Sequence, residues 1–117
     1  MNSNGHSVGE HFENRDPSVR ETYNAIVRTA RKLGPVTEDP KKTSIHLVRK
    51  TAFAGIATRK TALILTLKSD ADVSHQRIAR RQQASANRWH VEVKLDAPEQ
   101  VDKELAVWLK KAYELAG

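Results

Sequence analysis

The sequence predicts a two-layer α+β domain: a four-stranded antiparallel sheet with N- and C-terminal helices packed on one face, in the order α-β-β-β-loop-β-α. Three observations predict it. Apolar residues recur at helical spacing near both ends of the chain, and they alternate with polar ones in the middle. The 117 residues suit one compact domain. Each helix stripe needs an apolar surface to bury against, and the apolar face of the sheet supplies it.

Residues 1–14, MNSNGHSVGEHFEN, are polar and without period, so a flexible leader is expected there, with His11 and Phe12 docking at its end. The domain is expected to span 15–117. Asp16-Pro17 is a helix start, with Asp as N-cap and Pro as first helical residue. Val19, Tyr23, Ile26, Val27, Ala30 and Leu33 form one stripe, and Gly34-Pro35 ends the helix.

The period then changes to two. Ile45 and Leu47 alternate with Ser44 and His46, and Leu63, Leu65 and Leu67 alternate with Thr66 and Lys68. Between them lies AFAGIAT, where Gly55 suggests a bulge or a close backbone approach. Lys50-Thr51 and Arg59-Lys60 are the expected hairpin connections of this meander. RWHVEVKL is the clearest strand, with Trp89, Val91, Val93 and Leu95 opposed to Arg88, His90, Glu92 and Lys94. Residues 70–87 offer only Val73 and Ile78 as large apolar groups, so a short surface helix within a long loop is expected. Asp96, Pro98 and Glu99 read as the start of the last helix, whose stripe is Val101, Leu105, Trp108, Ala112 and Leu115.

EHF, PSVRETYNAIV, LGPV, the run from Lys41 to Lys68 and the closing VDKELAVWLKKAYELA together resemble a bacterial family of domains of unknown function. Its members are sometimes labelled predicted transport proteins and also occur fused to endonuclease-like modules. The resemblance spans about residues 9–117; Lys42-Thr43, Phe53-Ala54 and Lys111-Ala112-Tyr113 are its most telling pieces. It implies an α+β fold with helices on one sheet face and brings no catalytic residues with it. Residues 70–87 depart from the family pattern in being longer and richer in arginine.

Several chemistries fail on the residues themselves. The chain has no cysteine, which removes disulfides, thiolate metal sites and thiol nucleophiles. GPVTEDPKKT places Lys-Thr after a Gly, but a helix precedes it, Pro40 replaces the second Gly and a strand follows, so it is no phosphate-binding loop. No nucleophile elbow, His-Glu-x-x-His motif or Gly-rich dinucleotide turn occurs. Asp70-x-Asp72-x-x-His75 is the tightest set of metal-ligand types and reads as a solvated turn. Tyr23, Trp89 and Trp108 read as core, which leaves few aromatics for stacking bases. No catalytic residue, metal or cofactor is assigned, and a non-enzymatic domain is expected. No run approaches a membrane span, no signal peptide is expected, and the cytoplasm is the expected location.

Charge remains, and it is uneven. Residues 20–60 hold ten basic and three acidic groups, and 74–94 hold five and one, against a whole-chain charge of +6. The candidate basic surface is Arg49, Lys50, Arg59, Lys60, Arg77, Arg80, Arg81 and Arg88, and nucleic acid or another polyanion is its expected partner. The alternative is a protein-partner or homodimerisation domain, accessory to a separate enzyme, that pairs through an open strand edge. The uncovered sheet face carries His46 and His90, the natural acid–base candidates for a third reading as an enzyme or ligand carrier.

Overall fold

A computed structural model describes residues 6–117. The chain forms helix α1 (Pro17–Arg31), strands β1 (Thr37–Pro40), β2 (Ile45–Val48), β3 (Ala52–Thr58), β4 (Leu63–Ser69), β5 (Ile78–Ser85) and β6 (Arg88–Leu95), then helix α2 (Lys103–Leu115). The fold is α+β with both helices on one sheet face, but the sheet has six strands where four are expected. They are antiparallel throughout, in the order β1-β2-β3-β4-β6-β5.

Helix α1 begins at Pro17, whose missing N–H falls where a helix has no use for one. Asp16 is extended and caps through its backbone: its carbonyl accepts from Val19 N at 3.0 Å, while its own N–H donates to Lys60 O at 2.8 Å. Val19, Tyr23, Ile26 and Ala30 are buried. Thr22, also buried, satisfies its hydroxyl by donating to Ser18 O at 2.7 Å. After the helix, Gly34 has φ 151°, a region that a side chain rarely tolerates.

Of the expected leader, residues 1–5 lie outside the described residues. Gly9–Phe12 form a 3-10 turn, and Phe12 packs against the core with its ring 5.1 Å from that of Tyr23. The Thr58 hydroxyl donates to His11 O at 2.6 Å and accepts from Arg15 Nε at 3.2 Å, which fastens this segment to the end of β3.

Two strands are corrections. TEDP has no apolar alternation, yet it forms β1 by pairing Glu38 with Leu47 and Pro40 with Ile45. Glu38 sits on the helix-facing side because it accepts a 2.5 Å hydrogen bond from the Tyr23 hydroxyl and a 3.2 Å one from Arg31. Pro40 is tolerated because β1 is an edge strand. The second correction is β5, where a surface helix is expected. IARRQQAS is extended because β6 offers it a ladder, and local propensity gives way to that pairing.

The β2-β3-β4 meander has the expected alternation. The bulge, however, falls at Phe53 and not at Gly55: Leu47 pairs with Ala54 and Val48 with Ala52, leaving Phe53 as the extra residue. Its ring is buried and meets Tyr113 of α2 edge-on at 5.2 Å. Leu63, Leu65 and Leu67 of β4 face the helices with Val91, Val93 and Leu95 of β6, all essentially inaccessible to solvent. Burying each contributes about 1.5–3 kcal/mol.

The N-cap of helix α2 lies six residues after Asp96. Pro98–Gln100 form a 3-10 turn in which the Gln100 side-chain oxygen accepts from Asp96 N at 2.7 Å and Ala97 N at 3.2 Å. The true N-cap is Asp102, which accepts from Leu105 N at 3.1 Å. Leu105, Leu109, Ala112, Tyr113 and Ala116 are its buried side, while Trp108 and Leu115 are half-buried at its margin. The helix lies over β3 and β4, and α1 packs beside it.

Candidate functional site

The helices leave one sheet face open, and register fixes what that face presents. One row runs across all six strands as Asp39, His46, Gly55, Thr66, Glu92 and Arg80. The adjacent row holds Lys68, His90 and Gln82. The face is dished at β3, where the outward positions are Gly55 and Ala57. A concavity of about 320 Å³ lies there, walled by His46 on β2, Thr66 and Lys68 on β4, and His90 on β6. Lys68 Nζ donates to Thr51 Oγ1 at 3.0 Å, and no carboxylate lines the hollow. Of the acids in the row across this face, Asp39 pairs with Lys41 at 2.9 Å, and Glu92 lies between Thr66 and Arg80 in the register without lining the hollow.

His46 and His90 share this face but do not meet. Three strand-to-strand steps and a two-residue offset separate them, roughly 16 Å between Cα atoms, far beyond a shared proton. As a direct acid–base pair they do not function.

Seven of the eight candidate cations fall into three places, and Arg77 stands apart from them. Arg49 and Lys50 lie in the β2–β3 turn, Arg59 and Lys60 in the β3–β4 turn, and β3 holds these turns roughly 23 Å apart at opposite sheet ends. Arg49 is structural: its guanidinium lies 4.4 Å from the Tyr113 ring centre and donates to Tyr113 O at 3.1 Å, closing the C-terminal end of α2. Arg77 is structural too. It donates to Asp102 at 3.0 and 3.1 Å, to Glu104 at 3.0 Å and to Gln100 O at 2.7 Å, clamping the 70–77 loop onto the start of α2. Burial works against the Arg77 charge, but the bonds to Glu104 and Asp102 outweigh it and push its pKa up. The Leu105 N–H, followed by Arg77, holds the Asp102 carboxyl below its ordinary range.

The third place is the β5–β6 ribbon, which carries Arg80, Arg81 and Arg88. Every residue from Ala79 to Asn87 is exposed, on both faces of the strand. No acidic residue occurs from Val73 to Val91. Arg81 reaches Asp72 at 3.3 Å; among the described residues no carboxylate pairs with Arg80 or Arg88. The would-be metal segment is dispersed, since Asp72 turns to Arg81 and His75 Nε2 faces Glu104 at 3.1 Å. Arg77 N–H donates to His75 Nδ1, so the ring proton sits on Nε2.

Two features escape the candidate residues drawn from sequence. Arg20, Arg28 and Arg31 of α1 border a second shallow hollow with Asn24 and Glu38, and their helical spacing is its only trace in the sequence. The hollow at Gly55 has one signal, a glycine in a strand flanked by small residues.

The fold and this face define a small two-layer α+β domain with an open polar sheet face and a basic edge ribbon. The chain belongs to the family described as a domain of unknown function, DUF5655, whose model matches residues 8–116. No curated protein and no solved structure matches it. No helix among the described residues is long and apolar enough to cross a membrane.

Proposed function

We propose that the protein is a binding domain whose β5–β6 ribbon engages the phosphate backbone of nucleic acid. The observation that carries this reading is the ribbon itself, exposed from Ala79 to Asn87, with Arg80 and Arg81 in that stretch, half-buried Arg88 beside it and no acid from Val73 to Val91. The β5–β6 pair forms the outer margin of the sheet, open to a partner along β5 and the β5–β6 turn, and arginine forks match phosphate geometry. Arg49 and Arg77 play no part, being committed to α2. On this reading the domain works in the cytoplasm and is not an enzyme.

Pairing of β5 with a second chain is the rival use of the same edge. Two bulges, at Ile78/Arg80 and Gln83/Ser85, interrupt the ladder, and the arginines add charge to the edge. Both are devices that discourage strand addition, so they favour the polyanion.

Fluorescence anisotropy with a random duplex tests it. Three phosphate contacts weaken binding roughly forty-fold between about 50 and 200 mM salt. The variant Arg80→Gln/Arg81→Gln/Arg88→Gln removes the binding, whereas Lys50→Gln/Lys60→Gln at the sheet ends leaves it unchanged. Absence of binding at the lower salt defeats the reading, and a dimer by light scattering that dissociates in the triple variant substitutes the partner reading.

A further inference from the structure

The hollow in the open sheet face is separate from the ribbon. It lies over β3 near the middle of the sheet, whereas β5 is an outer edge. Its floor is backbone: Gly55 has no side chain and Ala57 one carbon, so β3 forms a trough between the taller residues of β2 and β4. Two strand spacings, roughly 9.6 Å, separate those flanking strands, which is the width of a slot for a flat ring system. The volume, about 320 Å³, is at the lower end of small-molecule sites.

The charge of the walls selects the occupant. Lys68 spends one N–H on Thr51 and keeps two. His90 is its direct cross-strand neighbour, Thr66 brings a hydroxyl on the same strand, and His46 stands on the opposite wall. All four can donate hydrogen bonds, and no lining residue carries negative charge. An apolar, flat floor beside a cationic donor wall suits a ligand that is flat and apolar at one end and anionic at the other.

We infer that this hollow binds a small planar organic anion of the aromatic carboxylate class, its ring on Gly55 and Ala57 and its carboxylate at Lys68 and His90. The carboxylate accepts from the Lys68 ammonium and Thr66 hydroxyl, while the ring covers the exposed backbone of β3.

The test is a titration of the isotope-labelled full chain with 2-naphthoate, followed by amide NMR. Saturable shifts at Gly55, Thr66 and Lys68 are expected, with a dissociation constant of about 1 mM or tighter. Gly55→Val fills the trough and weakens binding about tenfold or more. It should fold, because a Cβ at Gly55 meets only His46 Cδ2, at 3.8 Å. Lys68→Gln weakens 2-naphthoate to the level of its neutral amide. Absence of shifts at Gly55 and Thr66, equal binding of 2-naphthamide by the native chain, or equal binding of inorganic phosphate overturns the inference. None of these outcomes bears on salt-dependent duplex binding by the ribbon.

Discussion

The Tyr113 hydroxyl donates to the carbonyl of Pro35 at 3.0 Å, joining the last turn of α2 to the chain just after α1, 78 residues away in sequence. Gly34 makes the approach possible. It has φ 151°, and a Cβ there would run into the Tyr113 hydroxyl.

Gly34→Ala is therefore expected to lose about 2–4 kcal/mol, from backbone strain plus overpacking. Urea denaturation measures it. Tyr113→Phe removes the obstructing oxygen, so the double variant should lose less than the sum of the two single losses.

Tyr23 couples α1 to β1. Burial first, and then the bond to Glu38, push its phenol well above the ordinary value of 10.0. A raised folded pKa means the contribution is complete below pH 10 and disappears as pH rises beyond it. Tyr23→Phe should cost about 1.5–3 kcal/mol at pH 7, with Glu38 Oε1 losing its donor while Oε2 keeps Arg31. The gap between variant and native melting temperatures should narrow above pH 10, since only the native chain has this phenol to ionise; a constant gap contradicts the assignment.

Asp102 acts at the other end of the pH scale. Its folded pKa lies below the ordinary 3.8, so its contribution is complete above that value and is lost as pH falls through the folded one. Asp102→Ala should cost about 1 kcal/mol at neutral pH, the usual loss of an N-cap. In Asp102→Asn the fall in melting temperature from pH 6 to pH 2.5 should be smaller than in the native chain.

Thr58 is the fastening of the N-terminal turn. Thr58→Val deletes the bonds to His11 O and Arg15 Nε, at a cost of about 1 kcal/mol. Hydrogen exchange should quicken from Glu10 to Arg15 while the β4 core keeps its protection; uniform acceleration would mean that the turn does not open on its own.

The elements that sequence reading finds are those whose own residues declare a period. Val19, Tyr23, Ile26 and Ala30 mark α1, and Trp89, Val91, Val93 and Leu95 mark β6, without outside help. Strand β5 is illegible because Arg80 to Ser85 carry no apolar face at all; its conformation is imposed by β6. Strand β1 is hidden for a related reason, since Glu38 faces the helices only because Tyr23 supplies a partner. Asp96 and Asp102 both precede helix-compatible residues, and only the Gln100 side chain, closing on Asp96 and Ala97, moves the start to the second. The candidate site was half legible. Alternation puts His46, Thr66, Lys68 and His90 on one face, but only strand order shows that the histidines are three strands apart. Arg49 and Arg77 look like any other surface cation until Tyr113, Asp102 and Glu104 are seen around them.

The order β4-β6-β5 has a consequence for how the protein can change. Because β6 turns back to lie against β4, strand β5 hangs from the outside of a sheet whose buried face is complete without it. Apart from Ile78, which touches the core, its residues give the interior nothing. Strand β5 and the turn that follows it can thus be shortened, lengthened or replaced without reopening the packing of the helices, so their specificity can be re-engineered while the scaffold is kept.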